Sequence, residues 1–228
     1  KINSLQPTIM ILPSQTLREL IIGEHPMISS CDPIDIAKQV QPASLDCRLG
    51  DVVHIMKSSG LPDISETVTN LIERHSRNSF KLKQGEEYVL ERGTCYLIPL
   101  QESLKLGEEL FAAFSPKSSV GRCDVFVRVL TDKNTRFDKT ARGYNGPLYL
   151  EIVPLSFPVR IIKGLSLVQM RIQKSDKTLS NRELADLHSE HGVVFSDKGE
   201  LLAANKVEIA QDSLFLHVDL SREIVGFE

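Results

Sequence analysis

Eight short runs rich in β-branched and aromatic residues, cut apart by glycine and proline, constrain this chain more than any other feature. They are EYVL at 87–90, CYLIP at 95–99, LFAAF at 110–114, DVFVRVL at 124–130, PLYLEIV at 147–153, PVRII at 158–162, SLVQMRI at 166–172 and LFLHVDL at 214–220. Such residues suit a pleated, half-buried surface, and Gly/Pro punctuation at short intervals marks turns. Three segments read as helices. SQTLRELII at 14–22 has Ser14 as its N-cap and Gly23 as its stop. The segment 64–75 puts Ile64, Val68, Leu71 and Ile72 on one face, behind a capping box of Asp63 and Glu66. A second box, Ser180 with Glu183, opens a helix over 181–190 that Gly192 closes. Many strands and few helices predict a mainly β fold, a distorted β-barrel or jelly roll with peripheral helices. With no internal repeat, low-complexity tract or flexible linker, 1–228 reads as a single domain.

The charge balance narrows the function. A formal net charge of −3 leaves no basic excess to displace counterions, which argues against nucleic acid as the main partner. No apolar run approaches the roughly 18 residues of a membrane helix, and no signal peptide is visible, so a cytoplasmic enzyme without a membrane partner is expected. The chain begins at Lys1 and stops inside REIVGFE, an apolar, strand-like end that leaves room for a longer natural chain. Cys31, Cys47, Cys95 and Cys123 are scattered without a CxxC pair. They read as free thiols, with Cys95 packed as a small apolar side chain. His188 and His191 stand i, i+3 but suggest no third metal ligand, and read as an exposed helix end. The sequence has no P-loop, no GxGxxG and no zinc-deaminase signature.

Two stretches carry candidate chemistry. PKSSVGR offers the hydroxyls of Ser118 and Ser119, the planar fork of Arg122 and the charge of Lys117 in what reads as a turn, a set suited to phosphate. A solvated turn with a surface arginine is the competing reading. In PLYLEIV, alternation puts Tyr149, Glu151 and Val153 on one face and Leu148, Leu150 and Ile152 on the other. A carboxylate held in apolar surroundings is suited to accepting and donating protons near neutrality. The competing reading is a glutamate on the outer face of an edge strand. Asp46 and Arg48 share a strand face and read as structural ion-pair partners, of each other or of a neighbouring strand. Asp132, Arg136 and Asp138 lie in a polar loop of the kind that often binds ligands.

The ordered series PASLDCRLG, PKSSVGRCDVFVRVLTD, GYNGPLYLEI and KGLSLVQMRI resembles the motifs of the deoxyuridine triphosphatase superfamily. Within it the chain looks most like the dCTP deaminases, in a longer variant with an N-terminal helical extension at about 10–25 and an insertion at about 61–80. The resemblance spans about residues 10 to 175. It implies zinc-independent hydrolytic deamination of dCTP to dUTP, with Glu151 as general acid/base and Ser118 and Arg122 holding the water and the reacting end of the base, or nearby phosphate oxygens. It implies substrate contacts from Lys117, Ser119, Val120, Gly121, Arg136, Asp138, Tyr149, Leu150 and Gln169. Asp132 and Asp138 both stand as candidates for the sugar contact, with Asp138 the better match. Lys117 occupies a position where many relatives carry arginine. Magnesium would arrive with the triphosphate, no dedicated metal site is implied, and the assembly would be a homotrimer. A dUTP diphosphatase, a bifunctional enzyme performing both steps and a non-catalytic nucleotide-binding regulator are the alternatives on the same scaffold.

Overall fold

Alternation gives each apolar run two faces to place, and the runs over 44–48, 96–105 and 145–154 bury both. The computed structural model describes residues 11–175, 178–217 and 221. Along the chain come α1 (Ser14–Ile22), β1 (Ile28–Ser30), α2 (Ile36–Gln39), β2 (Val40–Gln41), β3 (Ser44–Arg48) and β4 (Val52–Met56). There follow α3 (Val68–His75), β5 (Ser76–Lys81), β6 (Tyr88–Leu90), β7 (Tyr96–Lys105), β8 (Phe111–Pro116) and α4 (Ser118–Arg122). Then come β9 (Val125–Thr131), β10 (Asn145–Pro154), β11 (Val159–Ile161) and β12 (Ser166–Gln173), and finally α5 (Asn181–His191), β13 (Glu208–Ala210) and β14 (Ser213–Phe215).

One antiparallel sheet runs β5-β4-β7-β10-β9, with β1 also on β7, and a second runs β2-β3-β12-β8. The class is mainly β, as expected. The described strands pair as separate sheets instead of one closed ladder, so the layered, jelly-roll-like arrangement describes them better than a barrel. Leu148, Leu150 and Ile152 of β10 enter the main core with Leu45, Ile98, Met170 and Ile172. Tyr149, on the opposite face of β10, joins a second, smaller cluster with Met56, Val68, Leu71, Leu97 and Leu130. Within the insertion expected at 61–80, α3 therefore covers the second face of β10.

The helix over 14–22 forms with the expected limits, but Pro13 is its N-cap and no side chain caps it. The capping box expected at Asp63 and Glu66 does not open a helix. These residues close a turn (Glu66 N–H to Asp63 C=O, 3.0 Å), Ile64 is exposed, and α3 starts one turn later behind Thr67. Thr67 Oγ1 accepts the Asn70 N–H (3.3 Å) as the local cap, and Asp132 Oδ1 accepts the Val68 N–H at 2.7 Å from another loop, so two of the helix's first N–H groups are satisfied there.

The chain divides into two compact units, Lys1–Ser175 and Asp176–Glu228, where the sequence predicts one domain. In the second unit the Ser180–Glu183 box caps α5 as expected, and Asn181 and Asp212 clasp the helix to the β13–β14 hairpin by reciprocal bonds of 3.0 and 2.8 Å. His188 is not the exposed helix end expected. It is buried, its Nε2 donates to Leu202 C=O (2.8 Å) and its Nδ1 accepts the Val193 N–H (3.2 Å), because the turn after Gly192 folds back over the helix end. The strand expected over 214–220 is described only as far as residue 217, with β14 ending at Phe215, and the apolar end 222–228 lies outside the described residues.

Candidate active site

Glu151 stands on β10, one strand in from the edge of the six-stranded sheet, between Leu97 of β7 and Arg128 of the edge strand β9. It is 2 % exposed, so the edge-strand alternative does not hold. Arg128 answers it across the ladder. Arg128 Nε and Nη2 both donate to Glu151 Oε1, at 3.1 and 2.7 Å. The buried charge is thereby paired and hydrogen-bonded, which is the condition for its persistence in an apolar strand. The guanidinium is itself enclosed. Its carbon lies 3.6 Å from the Phe137 ring centroid and 4.8 Å from that of Phe126, and Nη2 donates to Ser59 Oγ at 2.7 Å.

Two further groups adjoin this pair. Cys95 packs against the second apolar cluster, as its sequence context predicts. Burial, and after it the Glu151 charge and a hydrogen bond to it, push the thiol up to about 12. Asp138 adopts a left-handed backbone (φ 59°) and binds β9 twice: its N–H donates to Val129 C=O (2.9 Å) and its Oδ1 accepts the Val129 N–H (2.8 Å). Burial raises the Asp138 pKa. The Val129 N–H and Arg128 oppose the shift, and Glu151 adds to it. A groove of about 380 Å³ connects Asp138 and Arg128 to Gly121, Pro116, Phe126 and Leu155. Asp132, the other candidate in that loop, is engaged with α3, whereas Asp138 faces the groove.

GYNG sets β10 running. Tyr144 Oη donates to Pro147 C=O (2.6 Å), and a Cβ on Gly146 would fall 2.7 Å from that hydroxyl oxygen, so only glycine fits beneath the folded-back ring. Tyr149 and Leu150 then lie in register with Leu130 and Val129 of β9 and with Pro99 and Ile98 of β7. Pro99 has no N–H, and its carbonyl accepts from Gly50 (2.8 Å), so the β7 ladder is interrupted at Tyr149. The Tyr149 hydroxyl lies 3.4 Å from Thr69 Oγ1, while Leu150 is wholly in the main core.

PKSSVGR forms the short helix α4 where the sequence predicts a turn. Val120 anchors it in the core. Ser118, Ser119, Gly121 and Arg122 are exposed, and no hydrogen bond or ion pair among the described residues joins Ser118 or Arg122 to Glu151. Lys117 pairs with Asp46, and Gln169 stands between Asp46 and Ser115 in the second sheet. Arg136 is exposed, its N–H bonded to Asn134 Oδ1. Arg48 does not pair with Asp46 but with the fully buried Glu102 of β7 (2.9 Å).

Arg128, Phe137 and Ser59 escaped the sequence reading. The signal for Arg128 was present: it is the lone charge in DVFVRVL after Asp124, as Glu151 is in PLYLEIV, and two lone opposite charges in apolar strands are candidates for a cross-strand pair.

Fold and site together define a mainly β protein with a buried, guanidinium-paired acid on the strand next to the sheet edge. A family model described as the N-terminal domain of 2'-deoxycytidine 5'-triphosphate deaminase matches residues 8–176, and the chain belongs to that family. Among curated relatives, a "dCTP deaminase, dUMP-forming" from Methanobrevibacter smithii is 27 % identical over 161 residues, covering 70 % of this chain and 78 % of that one. One of the same name from Persephonella marina is 27 % identical over 194 residues, covering 83 % and 99 %. The crystal structure of 2'-deoxycytidine 5'-triphosphate deaminase from Agrobacterium tumefaciens superposes with a TM-score of 0.77 at 39 % identity, over 83 % of this chain. This chain spans 55 % of the length of that protein.

Proposed function

We propose that this chain deaminates dCTP hydrolytically, giving dUTP and ammonia. Glu151 carries the reading: it is a buried carboxylate held through one oxygen by Arg128, in a chain whose relatives are named for deamination of dCTP. Water oxygen bonds to C4 of cytosine as Glu151 takes one water proton and passes it to the ring nitrogen; Glu151 then takes the remaining hydroxyl proton and delivers it to N4, so the C4–N4 bond breaks, ammonia departs and the C4 carbonyl forms. Ser118 and Arg122 hold the water and the reacting end of the base. Asp138, at the groove with its Oδ1 bound to Val129, turns its other oxygen to the sugar. Lys117, Ser119, Val120, Gly121, Arg136, Tyr149, Leu150 and Gln169 complete the nucleotide contacts, Val120 and Leu150 through their backbone. Magnesium arrives with the triphosphate as part of the substrate, and the reaction needs no zinc.

The site is completed between subunits of a cytoplasmic homotrimer. Ser118 and Arg122 are presented on an exposed helix and make no bond to Glu151 among the described residues, which supports their delivery to the acid of a second copy. A second reading, release of dUMP by the same chain, is favoured by the names of the Methanobrevibacter and Persephonella relatives. Chromatography of products from dCTP with magnesium, and separately from dUTP, tests both. Ammonia and dUTP from dCTP, with dUTP untouched, supports the first reading, and dUMP with pyrophosphate supports the second. Hydrolysis of dUTP with dCTP untouched overturns both in favour of a diphosphatase.

A further inference from the structure

We propose, resting on the deaminase reading of this site, that Arg128 is a positioning residue that selects which oxygen of Glu151 transfers protons. An arginine that merely neutralises a carboxylate takes both oxygens in a fork-to-fork pair. Here Nε and Nη2 converge on Oε1, and the other group hydrogen-bonded to Glu151 among the described residues is the Cys95 thiol, a weak donor that water or substrate can displace from Oε2. Oε2 is the proton-transfer atom, and Oε1 is the tether. The guanidinium is held in this geometry by the Phe137 and Phe126 rings it lies over and by Ser59, which accepts from Nη2. Phe137 is followed by Asp138, whose carboxyl and backbone clip the loop to Val129 of the same strand. Arg128 therefore joins the acid of β10 to the loop that carries the proposed sugar contact, and sets both against the bound nucleotide.

The test is ammonia release from dCTP across pH by the parent, Arg128→Gln, Arg128→Lys, Glu151→Gln and the Glu151→Gln/Arg128→Gln double variant, with dCTP affinity and thermal melting measured on each. Arg128→Gln is expected to lower kcat about a hundredfold with KM held within about threefold. The acid limb of its kcat profile should move to higher pH, because the carboxylate has lost its cation. Arg128→Lys keeps the charge without the fork, so its acid limb should stay near the parent's with kcat down about tenfold. In the Glu151→Gln background, Arg128→Gln should cost no further rate. If Arg128→Gln does not fold, Arg128→Lys decides by the same readouts. A kcat within about twofold of the parent in either variant overturns the proposal. So does a loss in Arg128→Gln with the acid limb unmoved, or a loss in Arg128→Lys that follows melting alone. A parent that binds dCTP yet releases no ammonia overturns the deaminase reading and this proposal with it. An active parent with an indifferent Arg128 overturns the proposal alone.

Discussion

Arg128 and Glu151 are register partners across β9 and β10, and two nitrogens of the one donate to a single oxygen of the other. The pair lies on the face of β10 that the main core does not use, beneath α3, where Tyr149 already packs. The sheet thus separates two roles by strand alternation: Leu148, Leu150 and Ile152 stabilise the fold on one side, and the other side holds the acid.

Glu151→Gln should abolish most turnover and leave dCTP affinity within a few-fold of the parent. The amide keeps the shape and an acceptor for Arg128 but cannot take a proton, and general acid–base catalysis contributes about 10² to 10⁴ in rate. Steady-state ammonia release and calorimetric binding check it. Unchanged turnover would remove Glu151 from the reaction.

Cys95 should resist alkylation while Cys31 and Cys123 react, since both of these are exposed. With its pKa pushed up to about 12, roughly one Cys95 in ten thousand is a thiolate at about pH 8. Glu151→Gln removes part of the cause and should speed Cys95 labelling, whereas buried Cys47 should stay inert. Peptide mapping after iodoacetamide treatment reads all four sites.

Asp138→Asn should stabilise the protein at neutral pH while impairing nucleotide binding. A carboxyl whose folded pKa is raised above its ordinary 3.8 contributes stability that is complete below that value and lost as pH rises through the folded pKa. Asparagine removes that pH-dependent loss, keeps an acceptor for the Val129 N–H and tolerates the left-handed backbone. Urea unfolding at about pH 7 should show a higher midpoint than the parent, the difference closing as pH falls below 3.8. A lower midpoint at neutral pH would refute the account.

Arg48→Met should destabilise by about 3–5 kcal/mol, because it leaves Glu102 charged and buried without its main partner. Glu102 accepts from Arg48 Nε (2.9 Å), the Arg48 N–H (2.7 Å) and Gln39 (3.1 Å), while the far nitrogens of Arg48 hold Pro33, Ser30 and Asp32. Pairing it with Glu102→Leu should recover much of the loss in a denaturant titration.

Several features were legible in the residue order because they rest on local spacing. The two-residue period of PLYLEIV assigned Glu151 to its face, and the Ser180–Glu183 box placed the start of α5. Val68 and Leu71 fell on the buried side of α3 as their helical spacing predicts. Where other groups outcompeted the expected ones, the same logic failed. Asp63 and Glu66 form a sound box by spacing, but Thr67 caps α3 through the Asn70 N–H, and Asp132, 64 residues beyond Val68, takes the Val68 N–H. His188 reads as exposed until the turn after Gly192 covers it.

Residue order is enough for the mainly β class, the motif series of the family and the singular position of Glu151, since alternation and turn chemistry act over a few residues. The partner of that glutamate is different in kind. It depends on which strands pair and in which register, and a one-residue slip would turn Arg128 to the other face. That choice is made by burial of the whole sheet against its two apolar clusters. Packing therefore put Arg128 opposite Glu151, closed Phe137 and Ser59 around it, and left α4 on the surface with Ser118 and Arg122 facing outward.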